Sequence, residues 1–258
     1  MVGDFPLTWM AEAFRRSGLR VKEVKGWRTA GRPYSFAPRG VVFHHTASSR
    51  KAGPAPALGI CVKGRSDLPG PLCNVMVGRD GTVFVIAAGR ANHAGFGGPW
   101  RNIPKDSGNQ YTAGVEVEND GVGEPWSEEL LDCCAVVFAT LLLGLRRKPE
   151  WLCGHKEWAP TRKIDPKPVD MRAYRRRVQK AILELARKEN RKRKPKPAPG
   201  SDARPKAAPE IYVVQPGDTL WSIATKHGLS VSELKGLNEL KTDLIHPGDQ
   251  LTVDGDLG

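Results

Sequence analysis

The chain has 258 residues, of which 40% are hydrophobic, and its formal net charge at pH 7 is +12. This length allows one sizeable core and a small second domain. The longest apolar run, residues 130–145, contains Asp132 and is shorter than the ~20 residues that span a bilayer, so we predict no transmembrane segment.

The excess positive charge is concentrated in one segment of the chain. Residues 187–206 contain nine Lys or Arg against two acidic residues, and they include several prolines but no aromatic residue. A stretch without aromatic residues lacks the stacking platforms of single-stranded nucleic-acid binders. We therefore interpret residues 188–210 as a basic, Pro-rich linker and expect no specific nucleic-acid partner. Attraction to an anionic polymer or membrane surface is compatible both with a linker and with the alternative, a nucleic-acid-binding arm.

The cysteines and the start of the sequence bear on the compartment. Five cysteines without a CxxC motif indicate neither a zinc ribbon nor a complete disulfide framework. The opening MVGDFPLTW lacks the basic and apolar segments of a secretory signal, so we expect no signal peptide. In that setting packed thiols are the favoured interpretation of Cys61 and Cys73, with a bridge between them as the alternative.

Residues 1–38 are predicted to begin with a short amphipathic helix. Leu7, Met10 and Phe14 recur at helical spacing on one face, and Gly18 stands where such a helix would end. We expect this helix to pack on the main domain, which we place at residues 39–187.

Three strands are predicted in the first half of that domain. Residues 41–45 form an apolar strand that ends in two adjacent histidines. Residues 74–78 and 82–87 alternate around Asp80-Gly81, a pair that tolerates the positive φ of a tight hairpin turn. The Gly- and Pro-rich segments beside these strands are predicted as loops: residues 26–40 and 53–71.

The second half of the domain supplies two more strands. A loop that carries His93 is followed by residues 112–119, whose alternation places Glu116 and Glu118 on one face. Residues 151–154 are predicted as a short strand that leads directly into His155.

Two helices complete the domain. Ser127 is predicted to cap the first, whose body is apolar nearly all round, so we place that helix in the core. Asp170 is predicted to cap a final amphipathic helix, and the domain is expected to end with it near Ala186.

Residues 211–253 are predicted to form a separate small unit with the order strand, helix, helix, strand. Gly228 stands where the first helix should end, and Ser230 with Glu233 forms a capping box for the second. A unit of this length has only a minimal core.

The segment GHKEWAPTRKID carries the strongest metal-binding pattern, because it brings His155 and Asp165 into one short stretch. A catalytic zinc takes three nitrogen or oxygen ligands, and two histidines with one carboxylate form a known set. His44 and His45 face opposite sides of their strand, so only one of them can reach the same metal. Cys153 is a fourth-ligand candidate, with a buried apolar role as the favoured alternative.

Five motifs occur in a characteristic order: HHTA at 44–47, GRDG at 78–81, NHAG at 92–95, GVEVEN at 114–119 and GHKEWAPTRKID at 154–165. Together they resemble the zinc N-acetylmuramoyl-L-alanine amidases of the peptidoglycan-recognition superfamily, in the version found in actinobacteriophage endolysins. The resemblance implies an α/β fold with a mixed central β-sheet flanked by helices.

This resemblance implies a metal site and two catalytic groups. It selects His44 over His45 as a zinc ligand, with His155 and Asp165 as the other two. Cleavage of the amide between N-acetylmuramic acid and L-alanine by zinc-activated water is the implied reaction, because zinc lowers the pKa of its water toward ~7.

The same resemblance assigns roles around the metal. Glu116 matches the carboxylate that handles the proton of the water, and Lys163 matches the lysine that faces the scissile carbonyl. His93 and Asn119 are expected to contact the substrate.

Residues 211–253 resemble a LysM domain of the βααβ type, with GDTLWSIA at 217–224 and IHPGDQL at 245–251 as the marks. The resemblance implies binding to glycan that contains N-acetylglucosamine. The expected wall contacts are Gly217, Asp218, Thr219, Leu220, Ile245 and Pro247.

These implications describe a monomeric peptidoglycan hydrolase, most simply a phage endolysin. Such a lysin would stay in the host cytoplasm until a holin-type release brings it to the cell wall. A non-catalytic peptidoglycan-binding receptor is the first alternative, because family members that lose a ligand still bind muropeptides. A host autolysin is the second, although it would usually carry an export signal.

Overall fold

The computed structural model of the protein describes residues 4–193 and 209–254. Its main feature is a six-stranded mixed sheet with helices packed on both faces. The strands of residues 4–193 are β1 (Val21–Glu23), β2 (Gly40–His45), β3 (Gly64–Arg65), β4 (Leu68–Pro69), β5 (Val75–Val77), β6 (Val83–Val85), β7 (Thr112–Val117) and β8 (Leu152–Gly154). The helices are α1 (Met10–Arg16), α2 (Leu58–Lys63), α3 (Gly108–Tyr111), α4 (Glu128–Gly144), α5 (His155–Trp158) and α6 (Met171–Arg193).

The strand order of the large sheet is β1-β6-β5-β7-β2-β8. Strands β5 and β6 pair antiparallel, as the Asp-Gly turn predicts, whereas β5, β7, β2 and β8 run parallel to one another. The register places His44 beside Glu116 and Phe43 beside Gly154. The carboxyl ends of three adjacent parallel strands therefore meet at one edge, where α/β sheets commonly bind ligands. The predicted mixed α/β sheet is confirmed.

Strand β2 lies between two layers and is buried at all six positions. On one face the ring of Phe43 packs 4.8 Å from that of Phe138 in α4 and 5.3 Å from that of Tyr174 in α6. On the other face Val42 belongs to a buried cluster with Trp158. Because both faces are covered, the strand has a continuous apolar run from Val41 to Phe43 rather than an alternating pattern.

The predicted caps of the two long helices are confirmed. The Ser127 hydroxyl accepts a hydrogen bond from the backbone amide of Leu130 at the start of α4. The Asp170 carboxylate accepts a hydrogen bond of 2.8 Å from the backbone amide of Arg172. This bond satisfies one of the free backbone donors in the first turn of α6. Helix α6 continues to Arg193, well beyond the end predicted near Ala186.

The N-terminal helix is also confirmed, since Leu7, Met10 and Phe14 are fully buried. The structure adds the short strand β1, which pairs parallel with β6 at the edge of the sheet. Its residues Val21–Glu23 are half-buried or exposed, so no apolar run marked it. The segment 53–71 is not all loop, because it contains α2 and the small hairpin of β3 and β4. Its helix packs Cys61 on Met76, a tertiary contact that the local Gly and Pro content hides.

The chain divides into two compact units, residues 1–179 and 180–258. The second unit contains β9 (Ile211–Val213), α7 (Leu220–His227), α8 (Val231–Leu237) and β10 (Gln250–Thr252). This is the predicted order of strand, helix, helix, strand. Gly228 ends α7 with φ +74°, and Ser230 with Glu233 forms the capping box of α8.

The remaining predictions concern the linker, the domain boundaries and the absence of a transmembrane segment. Much of the predicted linker, residues 194–208, lies outside the described residues, and the boundaries at residues 38, 187 and 210 stay predictions. Within residues 4–193 and 209–254, no helix is both long enough and apolar enough to cross a membrane.

Candidate metal centre and active site

A cleft of about 620 Å³ opens at the carboxyl ends of β7, β2 and β8. His44 is the fifth residue of β2, Glu116 is its register partner on β7, and His155 follows the last residue of β8. These three side chains and that of Asp165 line the cleft. The sheet register thus assembles residues that lie up to 121 positions apart in sequence.

Three atoms that could act as metal ligands converge at the base of this cleft. The Nδ1 atoms of His44 and His155 are 2.9 Å apart, and Oδ2 of Asp165 lies 3.2 Å from the first and 3.0 Å from the second. All three side chains are buried. Among the described residues this is the group of histidine, cysteine and carboxylate side chains whose geometry suits a metal ion.

The surrounding hydrogen bonds assign the histidine tautomers. Nε2 of His93 lies 3.0 Å from the carbonyl oxygen of Thr112, and a carbonyl only accepts, so this nitrogen carries the proton. Burial lowers the pKa of His93 well below its usual value, which keeps the ring neutral and leaves Nδ1 as an acceptor. That Nδ1 lies 3.0 Å from Nε2 of His44, which must therefore donate.

The consequence is that Nδ1 of His44 carries a lone pair. Burial, helped by the neighbouring His155, lowers the pKa of His44 to about 4, so the ring is neutral at pH 7. His155 donates Nε2–H to the carbonyl of Ala94 at 2.9 Å, and the tautomer with its single proton on Nε2 likewise turns an Nδ1 lone pair inward.

Two lone pairs and a carboxylate oxygen thus face one another without a proton assigned between them. Burial opposes ionisation of Asp165, but the adjacent imidazoles of His155 and His44 hold its pKa below the usual value. Three acceptors in contact repel one another unless a cation lies among them. Two imidazole nitrogens and one carboxylate oxygen are the donor set of a catalytic metal site with an open position, so the residues fit a divalent metal.

Glu116 stands beside this group with an unsatisfied oxygen. Its Oε2 is buried and has no hydrogen-bond partner among the described residues. Burial, with a smaller contribution from the charge of Asp165, raises the pKa of Glu116 to about 8. A carboxyl group held in this way is a candidate acid or base, because its pKa lies near neutral pH.

Glu118 has the opposite surroundings, although the sequence places it on the same face as Glu116. The strand ends at Val117, and the Glu118 carboxylate turns into the protein, where its side chain is fully buried. Its hydrogen-bond donors are the hydroxyls of Thr46 and Ser48, the backbone amide of Ala57 and the guanidinium of Arg79. This carboxylate anchors the loop that follows β2.

The other predicted site residues divide between the cleft and the interior. Lys163 lines the cleft, and its positive charge lowers the pKa of Glu116. His93 also lines the cleft, but both of its ring nitrogens are already hydrogen-bonded. Asn119 is buried and bonds to the turn at residues 121–124. It is not among the residues that line the cleft, and substrate contact by His93 and Asn119 stays a prediction.

His45 and Cys153 lie apart from the three donor atoms. The backbone amide of Lys167 donates to Nδ1 of His45 at 3.3 Å. The Cys153 thiol points to the carbonyl of Gly154 within a buried apolar cluster, and burial raises its pKa. Cys153 therefore has the apolar role that the sequence favoured. All five cysteines, Cys61 and Cys73 included, are free thiols.

Two cleft residues carried no signal in the sequence. The side-chain oxygen of Asn109 accepts the backbone amides of His93 and Ala94, at 2.9 and 2.7 Å. Arg162 donates to the carbonyls of Ala94 and Phe96. Both residues hold the loop whose Ala94 carbonyl orients His155. Only the fold reveals these roles, since each depends on contacts across 15 or more positions.

The predicted wall contacts of the second unit come from two adjacent loops, joined by a hydrogen bond from Gly248 to the carbonyl of Val214. Gly217, Thr219 and Pro247 are exposed, whereas Leu220 is buried in the small core and Ile245 packs against it. Asp218 accepts from the hydroxyl of Tyr212 and the amide of Gln215. Their contacts with glycan stay predictions.

Residues 34–168 match the family model of N-acetylmuramoyl-L-alanine amidase. This match covers more than half of the 258 residues and contains every residue of the cleft described above. The chain belongs to this amidase family. Residues 212–254 match the LysM domain, as the sequence resemblance implied.

Two curated relatives share only a short region with this amidase-family chain. N-acetylmuramoyl-L-alanine amidase sle1 of Staphylococcus saprophyticus is 48% identical over 48 residues, which are 19% of this chain and 15% of the relative. The probable endopeptidase p60 of Listeria grayi is 50% identical over 52 residues, which are 18% of this chain and 10% of the relative. The chain thus spans a small part of each of these relatives.

Solved structures of amidases and endolysins are similar at lower identity. A selenomethionine derivative of AmpD is 22% identical, covers 69% of this chain and 99% of its own, and has a TM-score of 0.46. The catalytic domain of XlyA is 16% identical, covers 62% of this chain and 99% of its own, and has a TM-score of 0.47.

Proposed function

We propose that the protein is a zinc-dependent N-acetylmuramoyl-L-alanine amidase that cleaves peptidoglycan at the amide between N-acetylmuramic acid and L-alanine. The observation that carries this proposal is the convergence of Nδ1 of His44, Nδ1 of His155 and Oδ2 of Asp165 beside the unsatisfied carboxyl of Glu116. Membership of the amidase family supports cleavage of an amide bond, and the LysM domain supports peptidoglycan as the substrate.

The metal ligands in this proposal are His44, His155 and Asp165. Zinc in such a site supplies Lewis acidity and lowers the pKa of water. His93 acts as a positioning residue, because it accepts the Nε2 proton of His44 and thereby keeps Nδ1 free for the metal. The carbonyl of Ala94 does the same for His155.

The chain's own groups then handle the protons and the developing charge. Glu116 accepts a proton from the attacking water and delivers it to the amide nitrogen as the carbon–nitrogen bond breaks. A carboxyl group with a pKa near the working pH can do both. Lys163 brings an ammonium group to the cleft, where it stabilises the oxyanion that forms from the scissile carbonyl.

The unsatisfied carboxyl of Glu116 favours an enzyme over a non-catalytic peptidoglycan receptor. A receptor gains nothing from a buried oxygen without a partner, which costs stability. An acid–base catalyst needs a proton-accepting atom that the protein has not already occupied. The resemblance of the motifs to phage endolysins makes host lysis the role that we propose for the activity, with a host autolysin as the alternative.

Mass spectrometry of digested peptidoglycan tests the proposal most directly. We expect new L-alanyl amino termini, no new reducing sugar ends, and about one zinc per chain, as a three-ligand site requires. New reducing ends in place of amino termini would identify a glycosidase and overturn the amidase assignment. The LysM unit is expected to retain the protein on insoluble wall, through glycan that contains N-acetylglucosamine.

A further inference from the structure

A second cavity, about 640 Å³ in volume, is lined mainly by arginines and lies away from the cleft. We call it the arginine face and define it by Trp100, Arg101, Glu150, Arg172, Arg175 and Arg176. The ring of Trp100 packs against Gly40, the first residue of β2, where an added Cβ would come within 3.0 Å. His44 lies four residues further along that strand, which is about 13 Å at 3.3 Å per residue. Trp100 therefore lies at the opposite end of β2 from His44, and the face shares no lining residue with the cleft.

Guanidinium groups and indole rings alternate from Trp100 and Arg101 of this face to the adjoining Trp151 and Arg147. The Arg101 guanidinium lies 5.7 Å from the ring of Trp100 and 5.5 Å from that of Trp151. The Arg147 guanidinium lies 4.8 Å from the same Trp151 ring. Arg101 is also fixed by a hydrogen bond from Nε to the carbonyl of Glu150 at 2.6 Å. This hydrogen bond fixes the position of the Arg101 guanidinium on the face.

Helix α6 contributes a stripe of three further arginines at positions 172, 175 and 176, which share one side of the helix. Arg175 pairs with Glu157 and donates to the carbonyl of Leu152. Arg172 and Arg176 are exposed and form no ion pair within the described residues. Like charges four positions apart weaken a helix, so this pair costs stability that an anion between them would restore.

The acidic groups near the face compensate only part of its positive charge. Glu157 is committed to Arg175, and the Asp170 carboxylate accepts the backbone amides of Arg172 and Ala173. Glu150 is exposed and lines the cavity as its one acidic side chain. The charge of Asp170 also attracts Arg172 and Arg176, so the guanidinium groups of Arg101, Arg172 and Arg176 share two carboxylates, those of Glu150 and Asp170.

We propose that the arginine face binds an anionic glycopolymer of the cell wall, one that carries phosphodiester or carboxylate groups along a sugar or polyol chain. Guanidinium groups bind phosphate and carboxylate in a bidentate manner. The indole rings between them supply apolar surface for the uncharged parts of such a polymer. The choice of a wall polymer over other polyanions rests on the proposed function, because the substrate of the cleft lies in the wall.

This attachment would act on the catalytic unit itself. It adds to retention by the LysM unit, because a second contact on the same wall converts rebinding into a local event. It also separates attachment from turnover, since the polymer contacts none of the residues that line the cleft.

The test compares two triple variants of the full-length chain with equal net charge. The first is Arg101→Gln, Arg172→Gln, Arg176→Gln, which removes the outer cations of the face. The matched control is Arg16→Gln, Lys25→Gln, Arg50→Gln, which removes three exposed cations elsewhere on the same unit. Binding of poly(glycerol phosphate) and of poly(galacturonic acid) is measured by titration at several salt concentrations, together with hydrolysis of a soluble muropeptide.

We expect the face variant to bind the preferred polymer about tenfold more weakly at low salt and with a smaller salt dependence, as loss of charge contacts predicts. The control should stay within about twofold of the parent chain. The stronger of the two polymers identifies the anion as phosphate or carboxylate. Equal losses in both variants would reduce the effect to net charge and overturn the proposal, and so would tighter face-dependent binding of a single-stranded oligonucleotide. Hydrolysis is expected to persist in both variants, so its absence from the parent chain would contradict the proposed function instead.

Discussion

The surroundings of Glu116 and Glu118 differ sharply, although the two carboxylates are only two residues apart at the end of β7. Glu118 accepts hydrogen bonds from two hydroxyls, a backbone amide and Arg79, so its charge is fully compensated. Glu116 has a buried oxygen without a partner and a pKa raised to about 8. The first carboxylate stabilises the fold, whereas the second is left unsatisfied at a cost in stability, as functional groups often are.

The same contrast separates the cleft from the small LysM unit. In the cleft, three acceptors converge and repel one another in the absence of a cation. In residues 209–254, the helix starts are satisfied locally by Thr219 with Ser222 and by Ser230 with Glu233. Unsatisfied groups thus mark the candidate site, and satisfied groups mark the scaffold. The predictions below test this distinction.

The largest effect is expected for Asp165→Ala, which removes one of the three converging donors. Turnover should fall on the order of a thousandfold or more, because a bound Lewis acid lowers the activation free energy by several kcal/mol. Zinc should raise the Tm of the parent chain but not of the variant, since ligand at a thousandfold excess over Kd adds about 4 kcal/mol. The matched control is Asp132→Ala, an exposed carboxylate on α4. A zinc-dependent Tm shift that survives in Asp165→Ala would remove Asp165 from the ligand set.

The next largest effect is expected for Glu116→Gln, which keeps the shape of the side chain but cannot transfer a proton. Turnover should fall by roughly 10²- to 10⁴-fold, while zinc content and folding are retained. Metal analysis and hydrolysis of a soluble muropeptide measure the two quantities separately. A variant with nearly full activity would exclude Glu116 from proton transfer.

The pH dependence of stability sharpens the assignment of Glu116. Its pKa in the folded chain, about 8, lies above the usual value of 4.5 for a glutamate, so between these pH values the folded state holds a proton that the unfolded state has released. The associated stability is fully present below pH 4.5 and is lost as pH rises through 8. In chelator-treated protein, the parent chain should lose up to about 1.4 kcal/mol per pH unit across this window, and Glu116→Gln should lack that slope. Parallel denaturation curves for the two proteins would show that the carboxyl is already ionised at neutral pH.

A smaller effect is expected for His93→Gln, because His93 acts through His44. Without the acceptor at Nδ1 of His93, the His44 ring is free to adopt the other tautomer, which places a proton on the metal-facing nitrogen. Zinc affinity should fall by roughly 10- to 100-fold, the usual cost of losing a hydrogen bond behind a metal ligand. Competition with a chromophoric chelator measures this directly, with His246→Gln in the LysM unit as the control. A loss of turnover with unchanged zinc affinity would instead support the predicted substrate contact of His93.

The sequence predicted most of the regular structure because its signals were local. Ser127, Asp170 and Ser230 act within one helical turn, and the Asp80-Gly81 hairpin forms between neighbouring strands. The sequence also predicted the three residues of the buried cluster that could hold a metal, through the resemblance of their motifs. Spacing alone left His44 and His45 open, and the register of β2 with β7 and β8 now brings His44 to the cluster.

The features that the sequence missed depend on long-range contacts. Strand β1 is a polar edge strand that exists only because β6 pairs with it, and α2 is stabilised by packing on Met76 and Phe84. Alternation placed Glu116 and Glu118 on one face, but the strand ends between them, so their surroundings diverge. Asn109 and Arg162 act on a loop that is distant in sequence. No local pattern encodes such partners.

The smallest effect on turnover is expected for Glu118→Gln, the counterpart of Glu116→Gln two residues away. The change keeps an acceptor for Thr46 and Ser48 but removes the charge that faces Arg79, and it brings an amide donor toward the backbone amide of Ala57. The free energy of unfolding should fall by about 1–3 kcal/mol, the cost of disturbing a buried hydrogen-bonded charge. Arg79 keeps its second partner, Glu124, at 2.7 Å, which limits the loss.

Turnover per folded molecule should change by only about threefold in Glu118→Gln. If His44, His155 and Asp165 stay in place, a shift of the loop after β2 raises the activation free energy by well under about 1.4 kcal/mol. Denaturant unfolding and zinc titration of Glu118→Gln and Glu116→Gln, measured side by side, complete the comparison. We expect opposite profiles, with stability lost and turnover kept in the first variant, and stability kept and turnover lost in the second. If Glu118→Gln lost turnover as severely as Glu116→Gln at full stability, the bonded carboxylate would belong to the catalytic apparatus, and satisfaction by hydrogen bonds would not separate scaffold from site.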